Sequence, residues 1–443
     1  MTELARRLDR MRRRHPRVID LGLDRMRRVL SAMGDPQARL CAPSGRVVHI
    51  AGTNGKGSTL AYLRAMGAAA GRSVNSYTSP HLVRFNERIE LHGRPIADSA
   101  LLESLEAVEA ANGDGDLSFF EATTAAALYA FAARPAELTL IEVGLGGRLD
   151  ATNVIAPDLC VVTPVALDHR EYLGADLASV AREKAGILKT GVPAVIGPQT
   201  EVALGVLEAR ATRLRAPASV WGRDFRAHAE QGRLVWQSES EVLDLPAPVL
   251  HGPHQTVNAG TAVAAARLVG LAPEAVARGL REARWPARLQ SLTEGPYAEI
   301  VLEAGGELWL DGGHNPHAAR ALAHFMAERE GLSPRPLVLV MGILANKDAP
   351  AFLDAFAGLA SGVVALGVPG HASLAPEVLA ELASNRGITP TIAANLTDAV
   401  QRAVNMGEAL SRDHPDQPIV PPRVLICGSL YLAGEVLRQG GVG

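Results

Sequence analysis

The chain has 443 residues, with 44 Lys and Arg against 47 Asp and Glu, for a formal net charge of −3. That balance argues against a dedicated nucleic-acid binder, and the length exceeds one ordinary core, so two domains are expected. Cys41, Cys160 and Cys427 lie far apart, without metal-ligand or redox spacing, which suits a reducing cytosol; no apolar stretch approaches membrane-spanning length.

The N-terminal segment is rich in arginine (Arg6, Arg7, Arg10, Arg12, Arg13, Arg14, Arg17) but carries Glu3 and Asp9 and lacks the apolar core of a secretory signal. It reads as a solvated amphipathic helix. A β-branched run, Val47–Ile50, then feeds the turn Gly52-Thr53-Asn54-Gly55-Lys56-Gly57-Ser58-Thr59, and a helical stretch follows from Leu60 to Ala70. Strand, glycine loop and helix together cradle phosphate: backbone N–H groups point inward, the helix N-terminus adds partial positive charge and Lys56 adds a full one. Ser58 or Thr59 could hold magnesium. The spacing departs from the strict phosphate-loop pattern, with Ile50 where the first glycine is expected and Gly57 where Ser or Thr usually follows the lysine.

Short apolar runs alternate with Ala- and Leu-rich helical stretches along most of the chain, the pattern of a parallel sheet covered on both faces. Further strands are predicted at Ser73–Tyr77, Leu138–Val143, Leu159–Val165 and Ala194–Gly197, and Cys160 falls inside one of these runs as a buried thiol. The polar, Pro-rich stretch from Ala216 to Pro253, with weak alternation at Arg233–Trp236, reads as a small antiparallel excursion, and a helix is predicted at Thr256–Leu268. No strand signal appears between Gly270 and Tyr297, and the domain boundary is set at residue 290, giving domains 1–290 and 291–443. The second series has strands at Glu307–Leu310, Leu337–Met341, Val363–Leu366 and Val424–Cys427.

Ligands of open α/β sheets bind beyond the carboxyl ends of the strands. After the second strand comes Thr78-Ser79-Pro80-His81. The third ends at Glu142 and runs into Gly144–Asn153, and the fourth is followed by Asp168-His169. Hydroxyls, a carboxylate and an imidazole therefore converge on one edge with the phosphate loop, a mixture suited to a metal holding a triphosphate. Each has a plainer reading: Glu142 as a helix cap, Asp168-His169 as a helix start, Gly144–Gly147 as a flexible turn. Lys184, on a short helix after His169, would be tolerated beside magnesium as a carbamate, although spacing alone favours a surface lysine. In the second half, Asn315 and Pro316 make a helix start and leave Asp311 and His314 available for a ligand.

Taken in order, Gly52–Thr59, Ser79–Phe85, Glu142–Asn153, Leu167–His169, Arg182–Ile187 and Asp311–Ala318 resemble the folylpolyglutamate synthase/dihydrofolate synthase family, of bifunctional bacterial type, within the Mur ligase superfamily. The resemblance runs from about Arg17 to Leu437. It implies a P-loop-containing parallel-sheet domain of Mur-ligase central type and a smaller C-terminal Rossmann-like α/β domain. It also implies an ATP-dependent amide ligase that joins L-glutamate to dihydropteroate or reduced folates through an acyl phosphate.

On this resemblance Gly55, Lys56, Gly57 and Ser58 bind ATP phosphates, and Ser58, Ser79, Glu142 and His169 ligate magnesium, as two ions. Lys184 is carbamylated. Ser118, Phe119, Phe120, Glu121, Leu149, Asp150 and Ala151 line the folate site. Asn258, Arg288, Asp311 and His314 contact ATP, the last three at or across the domain junction, with Lys56, Lys184, His169 and Arg288 as the catalytic group. The family's Pro-Gly-Arg before the junction is here Pro286-Ala287-Arg288. A cytoplasmic monomer acting on small molecules, without nucleic acid or membrane, is expected. A cell-wall Mur ligase and a nucleotide-binding protein without catalysis are the competing readings. The former carries an extra N-terminal domain, for which some fifty residues before the loop leave too little room.

Overall fold

The computed structural model describes residues 2–14, 22–412 and 420–440, so Arg17 and the start of the family resemblance lie outside the described residues. The chain forms two compact units. The first comprises Met1–His81, Phe85–Val249 and Gln255–Arg284; the second comprises Leu82–Arg84, Leu250–His254 and Trp285–Gly443.

The first unit is built on eight strands: β1 (Cys41–Ala51), β2 (Val74–Tyr77), β3 (Ile89–Leu91), β4 (Arg94–Pro95), β5 (Ala136–Glu142), β6 (Leu159–Val162), β7 (Ala194–Ile196) and β8 (Ala218–Val220). Their order is β4-β3-β2-β5-β1-β6-β7-β8. From β2 to β8 all pairings are parallel, while β3 and β4 add an antiparallel edge. The central strands are continuous apolar runs because helices cover both faces. On one side the core joins Tyr77 and Ile141 to the helix Phe119–Ala133 and to Met26, Val29 and Leu30. The N-terminal helix Glu3–Arg14 docks there through Leu4 and Leu8, and its Arg7 pairs with Glu106, so it is amphipathic as expected.

A separate three-stranded antiparallel sheet, β9 (Phe225–Glu230), β10 (Arg233–Ser238) and β11 (Val242–Pro246), forms the expected excursion. The excursion starts later than expected, because Ala218–Val220 still belongs to the parallel sheet.

The second unit holds β12 (Gln290–Ser291), β13 (Glu307–Leu310), β14 (Leu337–Met341), β15 (Gly362–Ala365), β16 (Thr389–Ile392) and β17 (Arg423–Cys427), ordered β12-β13-β17-β14-β15-β16. Only β12 is antiparallel. The two-residue β12 corrects the reading of residues 270–297 as free of strands, and that stretch also carries a helix at Pro273–Glu282. Arg423 is fully buried in β17; it bonds Glu307 (3.0 Å), Glu330 (3.3 Å) and the Ser333 carbonyl (2.9 Å), which together satisfy its charge. Cys160 and Cys427 are buried, and burial pushes the Cys160 thiol up to about 12. No helix of the described residues is long and apolar enough to cross a membrane.

Candidate active site

The phosphate loop leaves the carboxyl end of β1 and enters the helix Lys56–Ala69, with Gly55 as its N-cap at φ 87°. Two glycines are sterically required. A Cβ at Gly52 would meet Thr163 Oγ1 at 1.8 Å, and one at Gly55 would meet Asn258 Oδ1 at 2.3 Å in a backbone conformation that L-residues avoid. The loop is pinned from β6 outward: the Thr163 hydroxyl donates to the Asn54 carbonyl at 2.8 Å, and the Thr53 amide donates to the Pro164 carbonyl at 3.0 Å. Lys56 Nζ turns back over the loop, donating to the Gly52 carbonyl (3.2 Å) and the Thr53 carbonyl (3.3 Å), and stands 4.0 Å from Glu142 Oε1.

Glu142 closes β5 and is buried. Its second oxygen accepts from the Ser79 amide at 3.4 Å, so β1, β2 and β5 bring Lys56, Glu142 and Ser79 together as the strand-end argument requires. Ser58 Oγ accepts from Gln255 Nε2 at 3.4 Å, and Gln255 Oε1 accepts from Asn258 Nδ2 at 3.1 Å. The helix His254–Leu268 thereby orients both Ser58 and Asn258 against the loop. His169 lies beyond β6 as the N-cap of a four-residue helix, Arg170–Leu173, with φ 50°, so the helix-start reading also holds; its Nε2 is 3.9 Å from Asp168 Oδ1.

The Ser79 and Glu142 groups that meet at the strand ends are oxygen donors of the kind that suits a hard divalent ion keeping water and phosphate as further ligands. Among the described residues no three His, Cys, Asp or Glu side chains gather in metal-ligating geometry. An ion here would therefore depend on Ser58, Ser79 and phosphate oxygens to complete its shell.

Lys184 is not a surface lysine. It is buried at the end of the helix Leu177–Lys184, and its Nζ donates to the Gly52 carbonyl at 2.8 Å, the same oxygen that Lys56 reaches. Burial and then the charge of Lys56 push its pKa down to about 7. A largely neutral amine at physiological pH is the form that adds CO2.

Ser118 and Glu121 form a capping box at the start of the helix Phe119–Ala133. The Ser118 amide donates to Glu121 Oε2 at 2.7 Å, and the Glu121 amide donates to Ser118 Oγ at 3.1 Å. Arg25 grips the same buried carboxylate, with Nε 3.0 Å from Oε1 and 3.2 Å from Oε2. Phe119 meets Phe85 edge-on at 5.9 Å and lies under the Arg12 guanidinium at 5.1 Å, while Phe120 lies 6.2 Å from the Tyr77 ring. Both phenylalanines are half-buried.

Asp150 is buried, with Leu149 half-buried before it and Ala151 buried after it. Asp150 Oδ2 accepts from the Leu145 amide (2.8 Å), and Oδ1 accepts from the Thr152 amide (3.0 Å) and hydroxyl (2.5 Å). Its carboxylate thus stitches the glycine-rich loop shut, although burial raises its pKa. With the Thr152 hydroxyl donating to Asp150, His49 Nε2 must donate to Thr152 Oγ1, at 2.9 Å. Arg25, Gln255, Thr163 and His49 were not singled out in the sequence. Arg25 is one arginine among many there, and the other three carry no motif.

In the second unit, Arg288 lies in a tight turn between Ala287 (φ 55°) and Leu289 (φ 43°). The family's glycine before this arginine suits the left-handed conformation that Ala287 adopts here at a cost. The turn is locked by Asp311, whose carboxylate accepts from the Leu289 amide (2.7 Å) and the Gly313 amide (2.6 Å). Burial raises the Asp311 pKa, opposed by the charge of Arg288. His314 Nδ1 donates to the Gly312 carbonyl at 3.0 Å, and Asn315 caps the helix Pro316–Leu332 as expected. Arg288, Asp311 and His314 therefore form one constellation. Nearby charge from Arg288 and His317, after burial, takes His254 down to about 4.

A family model described as dihydrofolate synthetase, C-terminal domain, matches residues 299–439. The folylpolyglutamate synthase of Lacticaseibacillus casei is 34% identical over 427 residues, covering 92% of each chain. The dihydrofolate synthase/folylpolyglutamate synthase of Escherichia coli K12 is 33% identical over 99% of this chain and 97% of its own. Among solved structures, E. coli FolC in complex with DHPP and ADP superposes with a TM-score of 0.84 at 31% identity, covering 99% of this chain and 97% of that one. The Mycobacterium tuberculosis folylpolyglutamate synthase complexed with ADP gives 0.85 at 31% identity over 99% of each chain. With its α/β architecture shared over its full length, the chain belongs to the folylpolyglutamate synthase/dihydrofolate synthase family.

Proposed function

We propose that this protein is an ATP-dependent carboxylate–amine ligase that adds L-glutamate to dihydropteroate, to reduced folates, or to both. The observation that carries this reading is the convergence of Lys56 and Lys184 on the Gly52 carbonyl, with Glu142 beside Lys56. A lysine cation, a second buried lysine amine and a buried carboxylate packed against a phosphate loop are arranged to handle a metal-bound polyanion, and full-length relatives of this family share the fold. A Yersinia pestis relative solved with AMPPNP and Mn, and a bifunctional folylpolyglutamate synthase/dihydrofolate synthase solved with Mn, AMPPNP and L-glutamate, support ATP, a divalent metal and glutamate as ligands here too.

The chemical problem is that a carboxylate is a poor electrophile. A carboxylate oxygen of the acceptor attacks the γ-phosphorus of ATP, ADP leaves, and an acyl phosphate forms. The amine of glutamate then attacks the acyl carbon; phosphate leaves, and the nitrogen gives up a proton. The protein's part is to position the reactants and stabilise charge. The loop amides from Gly55 to Ser58 hold phosphate oxygens, and Lys56 and Arg288 neutralise the moving phosphoryl group. Asn258, Asp311 and His314 hold the nucleotide. Ser118–Glu121 and Leu149–Ala151 shape the folate site, where Phe119 and Phe120 offer ring faces to a pterin.

Magnesium, as two ions on Ser58, Ser79, Glu142 and His169, would supply Lewis-acid charge to the phosphates. Lys184 acts as a carbamate, whose remaining N–H can keep its bond to Gly52. The enzyme works as a cytoplasmic monomer. Release of ADP that requires both a pteroate or folate acceptor and glutamate tests the reading, with product masses from dihydropteroate and tetrahydrofolate separating the two activities. ATP hydrolysis indifferent to either substrate would overturn it.

A further inference from the structure

Outside the phosphate loop, a cleft of about 940 Å³ opens between the helices Leu177–Lys184 and Glu201–Arg213 and the end of the glycine-rich loop. Its volume is that of a small-molecule site, about 300–1,000 Å³. Four guanidinium groups line it, from Arg148, Arg182, Arg210 and Arg213, against one carboxylate, Glu183. Glu183 is engaged by Arg148 at 2.9 Å, and Arg182 is steadied by Ser179 Oγ at 2.7 Å. Among the described residues, neither Arg210 nor Arg213 has a carboxylate partner. The charge of Arg210 is felt beyond the cleft, where it helps to lower the pKa of Lys189 after burial has done so. Unbalanced guanidinium groups facing a cavity are built for an anion with several negative groups.

We propose that this cleft binds the oligoglutamate tail of an already extended folate. The inference rests on the ligase reading above. Each ligation consumes one carboxylate of the acceptor's end and leaves one free on every glutamate already added, so a growing tail is a polyanion whichever linkage is used. The reacting end must return to the phosphate loop in each cycle, so earlier residues have to be displaced sideways. The glycine-rich loop connects the two places: Asp150, within the folate segment, is two residues from Arg148 on the cleft wall, and the Arg148 amide donates to the Glu183 carbonyl at 2.8 Å. Tyr172 adds a hydroxyl and an apolar ring to the rim.

The test compares the wild type with the double variant R210Q/R213Q, using acceptors that carry one or four glutamates. Losing two charge-assisted contacts should raise KM for the tetraglutamyl acceptor about tenfold or more, while KM for the monoglutamyl acceptor, KM for ATP and kcat stay unchanged. Equal effects on both acceptors, or none, would overturn the proposal. Calorimetric titration of free tetraglutamate into wild type and variant needs no turnover; binding that weakens with salt and is lost in the variant supports the cleft, and identical heats refute it. Should the double variant not fold, R182Q serves in the same comparison. A protein that adds glutamate neither to dihydropteroate nor to the monoglutamyl acceptor defeats the ligase reading instead, and the titration still reads the cleft.

Discussion

Replacing Lys184 with methionine should stabilise the protein while abolishing its activity. The ammonium is buried next to Lys56, and its pKa falls from 10.5 to about 7. Stability from such a group is complete above its unfolded value near 10.5 and is lost as pH falls through the window down to 7, because there the unfolded chain holds a proton that the folded chain resists. At about 1.4 kcal/mol per pH unit, the charge costs the folded state on the order of 4–5 kcal/mol near pH 7 and under about 1 kcal/mol at pH 10. Methionine keeps most of the volume and never carries the charge. Urea unfolding of wild type and K184M in CO2-free buffer at pH 7 and pH 10 reads the difference directly. The variant should lead by several kcal/mol at pH 7 and by little at pH 10. Adding bicarbonate should narrow the gap at pH 7 by converting the lysine to its carbamate. A difference that does not change with pH would refute the burial argument, and full turnover by K184M would refute the carbamate role.

Gly55→Ala should weaken nucleotide binding about tenfold or more, since the added Cβ collides with Asn258 Oδ1 and the backbone sits at φ 87°; titration with a fluorescent ATP analogue checks this, and an unchanged Kd would count against the loop's role. Arg25→Ala strands the buried Glu121 carboxylate and should cost about 2–4 kcal/mol in urea unfolding, most of it recovered in R25A/E121Q; no recovery would mean that Arg25 acts through something other than that charge. On the proposed role of Glu142 as a magnesium ligand, Glu142→Gln should shift the magnesium titration of activity to higher concentration by about tenfold or more. A superimposable titration would remove Glu142 from the metal site.

The strands that carry the site were legible because both faces of the sheet are covered, which makes them unbroken β-branched runs: Val47–Ile50, Leu138–Val143 and Leu159–Val165 fall on β1, β5 and β6. What escaped had weaker patterning. β3 and β4 have only three and two residues, and β16 is an edge strand with Pro390 and partly exposed residues, which an unpaired side tolerates. At the site, Lys56, Glu142 and Ser79 could be brought together on paper because strand ends converge. Gln255 and Thr163 could not, because they act through hydrogen bonds across 197 and 109 residues of chain. The burial of Lys184 was equally hidden, since Arg182-Glu183-Lys184 reads as a solvated turn of helix until the fold places Gly52 against it.

The position of β17 has consequences for how the second unit is made. Arg423–Cys427 is synthesised after every other strand of its sheet, yet it lies between β13 and β14. While translation is under way, β12–β13 and β14–β16 exist as two fragments with open edges, each missing the partner that joins them. A premature stop or a protease cut ahead of Arg423 would therefore split the sheet through its middle, and would take from Glu307 one of the arginines that it holds. Quality-control machinery in the cell would meet such a product as an aggregation-prone half-sheet.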